Sequence, residues 1–244
     1  MTRRLLSIVV PAFNEAAHIG ELLERIPKVD TEAVGFDKEI LVVDDGSTDG
    51  TADVVRRHPA ARLLQQPRNQ GKGRAVQRGV ANARGDYVLV QDADLEYFPE
   101  DYPGMLAAIE GPRDVVYGSR TLGQWHAGTR RALALPGKHP RQSLGPYAAG
   151  VVLSGWTLLL YGRLITDTLT AYKIYPRQAL ASLEVKTHGF ETDHELTAKL
   201  IRAGYRIREV PVRYEPRSVA AGKKIRARDG VKAIWTLARF RVLD

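Results

Sequence analysis

The chain has 244 residues, 44% hydrophobic and 26% charged, enough to bury a substantial core and suited to one α/β domain spanning 1–244. It contains no cysteine, which excludes a disulfide framework and thiol chemistry, and its six histidines fall in no zinc-ligand spacing. The net charge of +8 would suit an acidic partner, but no nucleic-acid-reading motif accompanies it, so an anionic membrane or a diphosphate substrate is expected instead of nucleic acid.

Met1-Thr2-Arg3-Arg4 leads directly into a first strand over Leu6–Val10, an apolar run too short for a signal peptide, so a cytoplasmic location is expected. That strand ends at Pro11-Ala12-Phe13-Asn14-Glu15. A second, Glu39–Val43, ends at Asp44-Asp45-Gly46-Ser47-Thr48, and a helical pattern follows each. The third, near Arg62–Gln66, ends in a loop carrying Gly71-Lys72-Gly73 before a helix at about Arg74–Ala83. The Gly71, Gly73, Gly79 spacing is neither a dinucleotide fingerprint nor a Walker loop.

The fourth strand, Tyr87–Gln91, is uncharged and runs straight into Asp92-Ala93-Asp94. Strands alternating with helices predict a parallel sheet whose carboxyl ends share one edge, where ligands bind in open α/β sheets. Four successive strand ends thus converge on one crevice, and a fifth, ending at Gly118-Ser119, brings Arg120 to it. Two carboxylates at a strand end suit Mg²⁺ or Mn²⁺ clamping a diphosphate; a solvated turn is the plainer reading of the same residues.

The stretch from Gln142 to Gly162 carries no formal charge but is diluted by Gly145, Pro146, Gly150 and Gly155. A membrane span is disfavoured. Arg130, Arg131, Lys138, His139 and Arg141 before it, with Trp125 and Trp156, suit a membrane-interface segment at 123–165; a helix packed on the core or at a subunit interface suits it as well. A basic segment at 215–244 contains Gly222-Lys223-Lys224, read as a loop that closes over donor phosphates or as an ordinary solvated loop.

The motifs PAFNE, VVDDGSTDGT, RNQGKGRAVQRG, QDADLEYFPED and VVYGSR, within residues 5–120, closely resemble glycosyltransferase family 2, in the branch of dolichol-phosphate mannose synthase and its polyprenyl-phosphate relatives. The resemblance resumes at 166–175, 189–214 and 221–235, while 123–150, with Pro136, Pro140 and Pro146, departs from the family pattern. It implies a GT-A fold with a Rossmann-like, mostly parallel central sheet flanked by helices. It implies also a nucleoside-diphosphate sugar donor, GDP-mannose or UDP-glucose, a divalent cation, inversion at the anomeric carbon, and a polyprenyl phosphate acceptor met at the cytosolic membrane face. Oligomeric state is left open.

Roles follow from that resemblance. Pro11, Phe13, Asn14, Glu15, Asp44 and Asp45 are assigned to the nucleotide sugar, with turn capping the alternative for one aspartate of the pair. Lys72, Arg120, Lys223 and Lys224 face phosphates, and Asp92 and Asp94 hold the metal with Glu96 as a third ligand. A polyprenyl phosphate is already anionic and needs no base, whereas a hydroxyl acceptor would need one, for which Asp193 is the candidate unless it serves only the helix start. Asp167 is a candidate for ordering the acceptor loop. Two alternatives stand beside this reading: transfer to a hydroxyl of a soluble metabolite or glycolipid, and a sugar-nucleotide-binding scaffold without turnover.

Overall fold

The computed structural model describes residues 3–126, 139, 144–187, 189, 191–216 and 227–243. Its strands are β1 (Arg4–Ala12), β2 (Phe36–Asp44), β3 (Ala61–Gln65), β4 (Tyr87–Val90), β5 (Asp114–Ser119), β6 (Lys173–Pro176) and β7 (Arg206–Pro211). They form one sheet in the order β3-β2-β1-β4-β6-β5-β7. The helices are α1 (Ile19–Arg25), α2 (Thr51–Arg56), α3 (Lys72–Asn82), α4 (Tyr102–Ala107), α5 (Arg120–His126), α6 (Leu144–Tyr161), α7 (Arg177–Ser182), α8 (Thr192–Arg202) and α9 (Ala227–Val242).

Runs such as Leu6–Val10 and Tyr87–Val90 are buried on both sheet faces, which is why they read as unbroken apolar segments instead of alternating ones. Both β1 and β2 extend beyond the apolar stretches that mark them in the sequence. On one face α1 and α4 pack with Leu22, Met105 and Leu106, joined by Ile26 just after α1; on the other α3, α7 and α8 cover Val9, Val88 and Val90. The α3 helix approaches unusually closely, because a Cβ at Gly79 would stand 2.3 Å from Val9 Cγ1.

The sheet is mostly parallel, as expected, with one reversal: β6 is antiparallel to both β4 and β5. The chain returns from α6 along the ligand edge and enters β6 there, so this strand begins where its neighbours end. Its first residue, Lys173, therefore stands at the crevice.

The uncharged stretch becomes α6, which lies against α9 with Trp156 Nε1 donating to Ile234 O (3.1 Å) and Tyr161 OH to Leu237 O (2.6 Å). Leu153, Ala233, Leu237 and Phe240 form a buried cluster there. The outer side stays apolar and open, with Val151, Val152 and Leu159 on α6 and Val231 and Trp235 on α9 all more than half exposed. Among the described residues no helix is long and apolar enough to cross a membrane.

Candidate active site

The crevice is assembled from loops that hydrogen-bond to one another before any ligand is considered. Asn14 adopts a left-handed conformation (φ 57°), which asparagine tolerates better than most residues. Its N–H donates to Ser47 Oγ (2.9 Å) and its Oδ1 accepts from Thr48 N (2.9 Å), tying the β1 and β2 loops together. Glu15 N donates to Thr51 Oγ1 (2.9 Å). Pro11 and Phe13 frame the same β1 end, neither of them fully buried.

The two aspartates after β2 divide their work. Asp44 Oδ1 accepts from Ser47 N (3.1 Å), the turn-capping contact. Asp45 accepts from Gln70 N, Gly71 N and Gln66 Nε2, each at 2.8 Å, and so fixes the loop that delivers Lys72. Both are almost wholly buried, so these hydrogen bonds set the course of the loops around the crevice.

Beyond β4, Lys72 Nζ pairs with Asp92 Oδ1 at 2.5 Å, in a contact with both side chains partly open to solvent. Burial works against the Lys72 charge, but the attraction of Asp92 and then of Asp193 outweighs it and holds the ammonium above its ordinary range. Asp94 Oδ1 accepts from Glu96 N (3.2 Å) across a turn in which Leu95 takes φ 61°, a strained conformation of the kind that clusters at functional sites. Glu96 Oε2 accepts from Tyr214 OH (2.7 Å). Among the described residues no three carboxylate or imidazole side chains are gathered as a metal cage. Glu96, expected as a third ligand, follows Asp94 by two residues and accepts the Tyr214 hydroxyl through one of its two oxygens. Asp92 and Asp94 alone offer hard oxygens at one strand end, a donor set that fits Mg²⁺ or Mn²⁺ shared with a substrate diphosphate and not an all-protein site.

Two features of this edge were not legible as site residues. The first is Lys173, fully buried, whose Nζ donates to Asp193 Oδ1 (3.1 Å). Burial disfavours the Asp193 charge, yet Lys173 and Lys72 more than compensate and lower its pKa. Asp193 stands in the first turn of α8, where its charge also suits the helix N-terminus, and it makes the ion pair with Lys173. Lys72 and Asp193 line one cavity of about 720 Å³ between α3, α7 and α8, whose other walls include Val76, Leu180 and Leu196. A charged residue inside the apolar run Ala171–Tyr175 was the signal available.

The second is Glu209 on β7. It accepts from Thr166 N (2.7 Å), Thr166 Oγ1 (2.9 Å) and Asp167 N (3.0 Å), ordering the 166–167 turn. Asp167 in turn accepts from Arg120 N (3.0 Å), Nε (2.7 Å) and Nη2 (2.7 Å). The guanidinium lies 5.0 Å from the Tyr214 ring centroid. Arg120, Trp125, Tyr147, Val151, Leu164 and Tyr214 line a groove of about 430 Å³ along α6. Ser154, also in its wall, has a buried hydroxyl without a partner among the described residues. Lys223 and Lys224 lie outside the described residues, as do Arg130, Arg131, Lys138 and Arg141.

The family model described as Glycosyl transferase family 2 matches residues 7–159. Low-salt glycan biosynthesis hexosyltransferase Agl6 of Haloferax volcanii is 28% identical over 213 residues, covering 87% of this chain and 48% of the relative. Dolichyl-phosphate beta-glucosyltransferase ALG5A of Trichomonas vaginalis is 30% identical over 224 residues, 86% of this chain and 65% of the relative. The chain therefore spans about half to two thirds of the length of these relatives. Among solved structures, glucosyl-3-phosphoglycerate synthase from Mycobacterium tuberculosis, in complex with Mn²⁺, uridine diphosphate and phosphoglyceric acid, superposes with a TM-score of 0.69 at 23% identity, over 99% of this chain and 80% of that one.

Proposed function

The chain belongs to glycosyltransferase family 2 and has its GT-A fold, and from that premise we propose that it moves a hexose, mannose or glucose, from GDP-mannose or UDP-glucose to a polyprenyl phosphate at the cytosolic membrane face. The observation that carries the acceptor assignment is the groove along α6. Its wall carries the Arg120 guanidinium with its partner Asp167, His139, Gln124 and Ser154, whose hydroxyl has no partner among the described residues, beside the apolar Trp125, Val151, Leu164 and Leu169. An anionic head with a hydrocarbon tail matches that polarity. The dolichyl phosphate named for a relative is of this class.

The donor side follows from the β3 and β4 ends. Lys72 binds the donor phosphates, Asp92 and Asp94 hold the divalent cation, and the rim formed by Asn14, Glu15, Asp44 and Asp45 receives the nucleoside. The cation, when bound, neutralises charge on the departing diphosphate. Lys72 adds a positive charge of its own to the donor phosphates in a partly dehydrated site, where it is worth more than in water.

A phosphate monoester attacks as an anion, so no side chain has to remove a proton. This agrees with Asp193, whose ion pair with Lys173 and depressed pKa make it a weak base. The exposed apolar side of α6 and α9 supports membrane contact, since each fully covered Val or Leu contributes roughly 1.5–3 kcal/mol that exposure forgoes. A donor panel assayed with polyprenyl phosphate and Mg²⁺ or Mn²⁺, scored for lipid-linked sugar, is the test. Transfer to soluble hydroxyl acceptors with none to the lipid would overturn the acceptor assignment.

A further inference from the structure

The reversed strand β6 sets an ammonium group beneath the reaction centre. Sheet pairing places Lys173 opposite Val90, two residues before Asp92, and opposite Tyr117, three before Arg120. Its side chain is 0% exposed, its Nζ donates to Asp193 Oδ1 at 3.1 Å, and it lies 4.7 Å from the Tyr117 ring centroid. The turn that carries Asp193 is held to the sheet independently: Thr197 Oγ1 donates to Asp193 O (2.7 Å), which leaves the Thr197 oxygen to accept from Tyr117 OH (2.7 Å). Packing alone does not select such an arrangement, because burying the ammonium carries a desolvation cost while its partner Asp193 stays 35% exposed at the cavity wall.

We propose that Lys173 is a positioning residue for the transfer. It holds the Asp193 carboxylate at one point in the cavity wall that Asp193 shares with Lys72. Lys72 is attracted by Asp193 on one side and paired with Asp92 on the other. The carboxylates of Asp193 and Asp92 thereby set the field in which the Lys72 ammonium meets the leaving diphosphate. The inference rests on the proposed function only in taking Lys72 as a ligand of the donor phosphates.

The test is a double-mutant cycle in the full chain with Lys173→Met, Asp193→Asn and both together, read as release of nucleoside diphosphate so that it does not depend on which acceptor is used. Lys173→Met is expected to lower kcat roughly tenfold with the donor KM within about twofold, and to cost less than about twofold once Asp193 is already asparagine. A purely structural lysine would lower the melting temperature in both backgrounds without this coupling in kcat. Wild-type kcat in folded Lys173→Met, or the full loss repeated in the Asp193→Asn background, overturns the proposal. Should Lys173→Met alone not fold, the double variant, which leaves no unpaired buried charge, is compared with Asp193→Asn. Equal kcat then supports the proposal and a further tenfold loss overturns it. Failure of polyprenyl phosphate as acceptor would sink the acceptor assignment and leave this measurement intact.

Discussion

Asp167 grips Arg120 three times, through its backbone N–H and through Nε and Nη2 of the guanidinium, with both side-chain bonds at 2.7 Å. Asp167 is nearly buried and Arg120 partly open to the groove, so the pair aims a fixed cation at whatever enters. Replacing Asp167 by Asn keeps the shape and removes the charge. The acceptor KM is expected to rise about tenfold with the donor KM unchanged, and stability to fall by about 3 kcal/mol, as when one partner of a buried pair is removed. Steady-state kinetics and thermal unfolding check both parts, and an unchanged acceptor KM would detach Arg120 from acceptor binding.

Asp94→Asn should nearly abolish transfer while the fold survives. Loss of one charged ligand weakens the hold on the leaving group, and removing such a stabilising contact typically costs about 3 kcal/mol, or on the order of a hundredfold in rate. Full activity in this variant, or wild-type activity in excess chelator, would refute the metal assignment.

Asp193→Asn separates the two acceptor classes. With an ionised lipid phosphate as nucleophile, at least about a tenth of the turnover should remain, because no proton is removed. With a hydroxyl nucleophile and Asp193 as its base, the loss should be on the order of 10²–10⁴. The milder result is expected. A folded, donor-binding and inactive variant would favour the hydroxyl acceptor.

His194 gives the stability a defined pH dependence. Buried beside Lys173, its imidazole is pushed down to about 4 by desolvation first and by the nearby ammonium second. The unfolded chain, with histidine near ~6.5, binds more protons between these values, so stability is complete above about pH 6.5 and is lost as pH falls toward 4. The depressed carboxylates of Asp193 and Glu195 lose their contribution lower still. The His194→Gln variant should show a flatter melting temperature between pH 6.5 and 4; an unchanged slope would rule His194 out as its source.

Membrane docking is checked by cosedimentation. The protein should bind anionic liposomes, release as salt shortens the reach of surface charge, and bind more weakly when Leu159 or Trp235 is changed to Glu. Equal behaviour with neutral and anionic liposomes would favour an oligomer interface on this side of α6 and α9.

The local chemistry of each strand end determined much of this reading. Buried apolar runs closing in Asn14-Glu15, Asp44-Asp45, Lys72 and Asp92–Asp94 imply a parallel sheet with one ligand edge, because strand period and crossover handedness leave few other arrangements. The sequence could not say which carboxylate meets which partner. Asp45 bonds the loop before Lys72, Glu96 accepts from Tyr214, and Asp167 takes Arg120 by contacts that span up to 118 residues of chain. Nor could it reveal the direction of β6, since four apolar-flanked residues look alike in either orientation. Direction is decided by which sheet edge the chain re-enters, and that edge alone puts Lys173 beneath Asp193. Pairing between distant segments depends on how the whole sheet closes, and only the tertiary structure fixes it.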